Sequence, residues 1–334
     1  MSATPTRRMI GVMLLVPLIA ALALSAFAWP AARSAPHDLP VGVAGPASAT
    51  APLQQGLERQ PDVFEVHRYD DEAAARAAIQ ERDVYGAVVA TPEGPHLLTA
   101  SAAGPVVAQL LREAVTAQAP AGAQVPVTDV VATPAGDPRG TAFGASMLPL
   151  TLGGVATGAL VSLLALRGVR ALGAVFGAAA LAGLTATALA HSWLDVLAGD
   201  WWLEAGAFGL AVLAIGATVA GLASLIGQAG IGLGAFLMVL IGNPFAGVSG
   251  APELLPEPFG VIGQLLPPGA SGSMLRSVAF FDGNAAGTPV LTLAIWAVLG
   301  LAAVLVGTRH TTTPPQTPPS PETPARTREA APAA

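Results

Sequence analysis

Apolar positions in this chain gather into long blocks instead of the one-sided or alternating patterns of a soluble fold. Six stretches reach membrane length: 9–29, 142–166, 169–190, 205–227, 229–248 and 288–307. About 20 apolar residues at ~1.5 Å rise cross a ~30 Å hydrocarbon layer, so each stretch predicts a transmembrane helix. None carries a charged side chain at its centre. The picture is a polytopic α-helical membrane protein with a water-soluble block, residues 30–140, inserted between the first and second spans.

Inside that block the period changes. Short β-type runs begin at Val41, Phe64, Tyr85, His96 and Val125, and helical patterns fall near 51–60, 71–82 and 102–118. Strands alternating with helices predict a small α/β domain. Asp70, Asp71 and Glu72 suit the positive end of the 71–82 helix dipole, and Arg82 suits its negative end. Val107, Leu110, Leu111, Ala114 and Val115 form the stripe that covers one face of a sheet.

Between spans five and six, short apolar pieces at Phe259–Leu266 and Ser273–Phe281 are broken by Pro256, Pro258, Pro267, Pro268 and Gly269. Neither is long enough to cross, so the segment 250–286 predicts half-helices lying on or dipping into one leaflet. After residue 307 the chain turns rich in Pro, Thr and Ala, which predicts a disordered tail over 308–334.

Composition supports the membrane reading, with 53% hydrophobic residues, 11% charged and a mean hydropathy of +0.61. All 15 basic residues are arginine, which excludes a P-loop lysine, a Schiff base and a Ser-Lys dyad. The lack of cysteine removes disulfides, thiolate nucleophiles and Cys-ligated zinc. A net charge of −6 points away from nucleic acid. His37, His67 and His96 have no metal-ligand spacing and read as structural; no catalytic residue, cofactor or metal is expected, and the chain reads as a non-enzyme. The polar groups at membrane depth are hydroxyls and Asn243, which argues against a self-powered antiporter, an ion pore or an intramembrane enzyme.

Arginines set the orientation. Arg7 and Arg8 precede the first span, Arg167 and Arg170 fill the gap between the second and third, and Arg309 follows the sixth. Six crossings put these on one face, taken as cytoplasmic, which gives an N-in, C-in protein of the bacterial cytoplasmic membrane with block 30–140 outside. The 1–8 segment and the tail are then cytoplasmic. The uncharged turn Gly227-Gln228-Ala229-Gly230 leaves its own side open. A competing reading makes the first span a cleaved signal peptide, with Ala26-Phe27-Ala28 as cleavage site; the long apolar run and Trp29-Pro30 favour a retained span.

The segments Val41–Gly45, Tyr85-Gly86-Ala87-Val88-Val89, Met147-Leu148-Pro149, Asn243–Gly247 and Leu265–Gly269, set in an architecture of one span, outer domain and five spans, resemble the ABC-2-type permease superfamily. The branch it is most similar to is the YhgE/Pip-like (phage infection protein) group. The resemblance implies a permease or permease-like subunit, a separate ATPase subunit as partner and a homodimer. The chain departs from that pattern between spans two and three, where Leu166-Arg167-Gly168-Val169-Arg170 leaves little surface for an ATPase to grip.

Two functions follow as expectations: a permease-like membrane subunit handling an amphipathic or lipid-like substrate, or a non-transporting envelope protein whose outer domain binds a cell-surface partner. Asn243 and Pro244, where the fifth helix should break, and Leu265, Leu266, Pro267 and Pro268 are the candidate substrate-pathway residues.

Overall fold

The computed structural model describes residues 5–59, 62–118 and 124–307. The tail 308–334 and Arg309 lie outside the described residues. Helix α1 (Pro5–Ala32) leads into strand β1 (Leu39–Ala44), α2 (Ala47–Glu58), β2 (Phe64–Tyr69) and α3 (Glu72–Glu81). Then come β3 (Gly86–Thr91), β4 (Gly94–Thr99), α4 (Pro105–Gln118) and β5 (Val127–Asp129).

The five strands form one sheet in the order β2-β1-β3-β4-β5. β1 pairs in parallel with β2 and β3, β3 with β4 antiparallel, and β4 with β5 parallel. Side-chain alternation loads both faces. Val41, Val43, Val88 and Leu97 point to one side, where Leu57 of α2 and Val107, Leu111 and Val115 of α4 cover them. Ala44, Ala87, Val89 and Leu98 point to the other, against Ala75, Ala78 and Ile79 of α3. The result is the expected α/β domain, a sheet between helical layers.

The acidic start of α3 is a cap. The Asp71 side chain accepts from the backbone N–H of Ala74 at 2.8 Å, and Glu72 pairs with Arg76 one turn on. Asp71→Ala should cost about 1 kcal/mol of domain stability, read as a loss of amide-exchange protection along α3.

The membrane half contains α5 (Thr141–Leu163), α6 (Gly168–Thr187, continued as a π-helical turn to Trp193), α7 (Trp201–Ile226) and α8 (Gln228–Ala235, continued as a π-helical turn to Gly242). The short α9 (Phe259–Gln264), α10 (Pro267–Phe280) and α11 (Gly287–Gly307) follow. Among the described residues, five helices are long and apolar enough to cross a bilayer: Met9–Ala32, Thr141–Leu163, Gly168–Trp193, Trp201–Ile226 and Gly287–Gly307. The chain is thus a multi-pass helical membrane protein.

The predicted fifth span, 229–248, is corrected. Its helix stops at Gly242, a rise of only about 20 Å. The reason is a β-turn run with helix breakers, Asn243-Pro244 and Gly247, that apolar composition alone conceals. α8 nevertheless runs from the Gly227 turn back to the domain end, where Gly242 lies against Pro268. The Gly227 turn itself sits at the far end, near the point where Gly307 packs on Ser224.

α7 is the central helix, contacting α5, α6, α8, α10 and α11. Glycines let the backbones touch: Gly158 meets Gly216 and Val219, Gly183 meets Ala205 and Gly209, and Gly300 meets Ala217 and Thr218. Gly173 and Gly177, four residues apart on α6, face open space. α1 stands apart, with almost all of its apolar surface exposed. It touches the rest chiefly through Trp29, whose ring meets Phe245 and Phe259 edge-on.

The half-helices between the last two predicted spans form; α9 keeps an exposed apolar side through Val261 and Ile262, whereas α10 is not a surface element. Pro267 and Pro268 do not break the chain; they occupy the first turn of α10, where a missing N–H costs nothing. Most of α10, from Pro267 to Ala279, is buried. It lies enclosed by protein between bundle and domain, not on a leaflet.

Candidate functional site

The domain and the bundle share a seam, and its chemistry is unlike that of either. The chain between α8 and α9 reaches up to the domain: Ala35 N–H donates to Leu254 O at 3.0 Å and His37 N–H to Glu253 O at 2.9 Å. Ala251 and Leu254 sit in the core cluster beneath α4. Phe281, at the end of α10, enters the cluster under α3. Residues from the membrane half therefore complete both cores of the α/β domain, so the unit 30–140 is not closed on itself.

Buried polar groups cross the same seam. Arg82, at the end of α3 with φ 66°, turns its guanidinium away from its own helix and donates to Ser273 O at 3.0 Å and to Ser277 Oγ. It lies over the Phe281 ring at 5.3 Å. Arg82 stands at the C-terminal end of α3 as its sequence position suggested, and its side-chain donors go to α10. The Tyr85 hydroxyl donates to Glu253 Oε2 at 2.8 Å. Arg276, 5% exposed, donates to Val248 O at 2.7 Å and stacks over Phe143 at 5.1 Å.

These groups share one field. Burial pushes the Tyr85 phenol far up, the charge of Glu253 and its hydrogen bond push the same way, and Arg82 and Arg276 oppose. Burial lowers Arg276 to about 10, with Arg82 adding to the fall and Tyr85 and Glu253 countering it. Arg82 is lowered by burial too. Arg276 stays charged at neutral pH, and Tyr85 stays protonated as a donor.

Beside this network a cavity of about 650 Å³ opens between domain and bundle. Its domain wall carries His37, Asp38, Arg82, Asp83 and Tyr85. Its membrane wall carries Glu253, Glu257, Gln264 and Ser273, with Leu255, Pro258, Val261 and Pro289 as apolar surface. The rim continues onto exposed apolar side chains of α9: Val261 is 71% and Leu265 60% exposed. Charged and apolar side chains set side by side in one cavity suit an amphipathic molecule.

The six candidate pathway residues lie elsewhere. Asn243 caps α8: its N–H and its side-chain amide both donate to Met238 O, at 3.2 and 3.4 Å. Pro244 follows it into the turn. Leu265 is exposed, and its carbonyl accepts from Trp296 Nε1 at 2.9 Å. Leu266 precedes α10, and Pro267 and Pro268 are buried in its first turn. Gly242 against Pro268 brings the two groups together as a joint, and none of the six lines the cavity.

The cavity residues were hidden in the sequence because each had a plain local explanation. His37 has no metal spacing, Arg82 ends a helix, and Glu253 and Glu257 sit in a proline-rich loop. His67 and His96 do behave structurally: His67 Nε2 lies 3.5 Å from Glu65, and His96 Nε2 lies 2.9 Å from Thr128 Oγ1.

One further buried group contradicts the expectation that no carboxylate is buried in the membrane half. Glu204, 0% exposed, lies in the first turn of α7. It accepts from Gly199 N–H at 2.9 Å and meets His191 Nδ1, on the π-helical end of α6, at 2.9 Å. The pair ties the α6–α7 connection together. Among the described residues no group of three or more His, Asp or Glu side chains is placed to hold a metal ion. Compared with family models, curated proteins and solved structures, the chain matches none of them.

Proposed function

We propose that this protein is a permease-like subunit of the cytoplasmic membrane that handles an amphipathic, lipid-like substrate at the seam between its α/β domain and its helical bundle. The domain sits on the extracytoplasmic face and Arg167 and Arg170 on the cytoplasmic one, as the positive-inside rule requires. One observation carries the reading: the 650 Å³ cavity sets charged and apolar side chains side by side, and its apolar wall runs on to exposed α9. The first turn of α11 supplies part of its rim through Thr288 and Pro289, so a ligand leaving the bilayer along that helix meets the opening.

Architecture of ABC-2 type fits this reading, with one span before the domain and the remaining helices packed around α7. The short 164–167 connection between α5 and α6 offers no coupling helix, so substrate handling here does not depend on an ATPase gripping that turn. An envelope receptor acting through a free-standing outer domain fits less well, because Ala251, Leu254 and Phe281 of the membrane half complete that domain's core.

The test uses full-length protein in nanodiscs and photoreactive dodecyl probes with ammonium, hydroxyl or carboxylate heads. Labelling should concentrate on peptides spanning 82–85 and 253–264. Thr288→Trp, which fills the rim from an exposed position, should lower that labelling at least about fivefold. Even labelling over all lipid-facing helices with every head, unchanged by Thr288→Trp, overturns the proposal.

A further inference from the structure

The buried acid of the bundle is matched to a base whose charge depends on pH. Every basic residue of the chain is arginine, which keeps its charge at any working pH, and arginine serves Glu72 on α3 and the seam at Ser277 and Val248. Glu204 is 0% exposed, yet its ion-pair partner among the described residues is His191, with Nδ1 at 2.9 Å from Oε2. A carboxylate can only accept, so Nδ1 carries the proton that faces it. The histidine side chain is 30% exposed, which leaves the ring open to protons from solvent.

What the pair holds is a joint of three helices. Glu204 Oε1 accepts from Gly199 N–H at 2.9 Å, so the same carboxylate ties down the end of the 194–200 connection between α6 and α7. Gly199 lies against Val278 O and Ala279 of α10, with no room for a side chain. Val196 and Leu197 enter the core beside Phe143, Leu275 and Ala279. Gly136, in the linker leading to α5, lies against the carbonyls of Leu194 and Asp195, which places the connection on the domain's side of the bundle.

The other charged groups around the joint are spoken for or exposed. Asp195 and Asp200 of the connection are exposed, and Asp200 caps α7 by accepting from Trp202 N–H and Leu203 N–H. α10 brings Arg276, turned to Val248 O and the Phe143 ring. The linker brings Asp137, which accepts from Thr141 Oγ1 and Phe143 N–H, and the exposed Arg139. α5 and α11 carry no charged side chain.

With the imidazole protonated, Glu204 has a counter-charge inside a packed layer. With it neutral, Nδ1–H still donates, but the buried carboxylate stands without a cation. We infer that Glu204 and His191 form a proton-operated latch, which clamps the 194–200 connection onto α10 while His191 carries its second proton and loosens it when that proton leaves. Proton uptake and closure favour one another by linkage, so the clamp is complete on the acid side of the imidazole titration and is lost as pH rises through it. A second limit lies at lower pH, where a protonated Glu204 ends the ion pair. The latch is independent of what the seam cavity binds.

Hydrogen exchange of the full-length protein in nanodiscs, at about pH 6 and about pH 8 and corrected for the intrinsic exchange rate at each, reads the latch. The amides to follow are Gly199, bonded to Glu204, and Val196, whose N–H donates to Ala190 O at 3.0 Å. Their protection should fall about tenfold from the lower to the higher pH in wild type, while the middle turns of α7 and α11 change by less than about twofold. His191→Asn keeps a neutral donor at the Nδ1 position on a partly exposed residue, and should show the wild-type pH 8 level at both pH values. Glu204→Gln, nearly the same shape, should be equally insensitive to pH. Equal protection of the two amides at both pH values in wild type overturns the inference. So does a pH dependence that persists in His191→Asn or in Glu204→Gln, or a fall shared by the whole bundle.

Discussion

Gly300→Leu should separate α11 from α7 and unfold the membrane half. A Cβ at Gly300 would fall on the backbone of Ala217 and Thr218, and Gly221 makes the reciprocal contact with Gly300 O. Lipid tails are as apolar as the helices, so packing and interhelical hydrogen bonds hold such a pair together. One of those bonds, from Ser224 Oγ to Ala303 O at 2.8 Å, lies a turn further along the same contact.

Forcing a leucine between backbones exceeds the ~1–3 kcal/mol of ordinary overpacking, because no side-chain rotamer can relieve it. The readout is disulfide formation in a Ser224→Cys, Ala303→Cys pair, which the cysteine-free chain keeps unambiguous. Cross-linking should be efficient in the parent and lost with Gly300→Leu. Gly153→Leu is the control: a Cβ there meets nothing within 4 Å, so stability should change by no more than about 0.5 kcal/mol. Equal cross-linking in both variants would show that the helices do not meet along Gly300.

The second large effect is expected at Arg276, the most deeply buried cation at the seam. Its charge rests on Val248 O, the Phe143 ring and the field of Glu253, and its Nε is buried without a partner. Arg276→Ala removes the donor to Val248 and opens a hole beside Phe143 and Phe280, a loss of about 3 kcal/mol. Arg276→Met keeps most of the volume and discards the desolvation cost, so it should lose about 1 kcal/mol or less. Thermal unfolding followed by tryptophan fluorescence in detergent separates the two. If both variants unfold alike, charge is what the seam needs from Arg276, and the packing account fails.

A comparison of particular residues shows which signals survive in one dimension. The β2 run Phe64–Tyr69 and the α4 stripe are local patterns, and Val107, Leu111 and Val115 are buried as their spacing required. Asp71 caps α3 through a contact three residues away. By contrast, Pro267 and Pro268 look like breakers in sequence and begin a helix in space, because proline ends one helix and opens another with equal ease. Glu204 lay at the predicted edge of a span. Its burial depends on His191 and Gly199, contacts that belong to the α6–α7 turn and leave no periodic trace.

The candidate site was the least legible part. Asn243 and Pro244 were marked as helix-breaking residues inside an apolar run, and that signal faithfully reports a helix end. A cavity has no such signature, since Asp38 and Glu253 are more than two hundred residues apart and each lies in an ordinary loop.

Sequence by itself determined the solvent of each segment and the class of structure within it, because apolar run length and period are properties of neighbouring residues. It therefore determined a helical membrane protein carrying an α/β insertion, and through missing lysine and cysteine it excluded whole chemistries. Only the tertiary structure decided that α10 is enclosed, and that Arg82, Tyr85, Glu253 and Arg276 meet at one seam. Those outcomes depend on which surfaces touch across long chain separations, where burial and charge act through space and not along the chain.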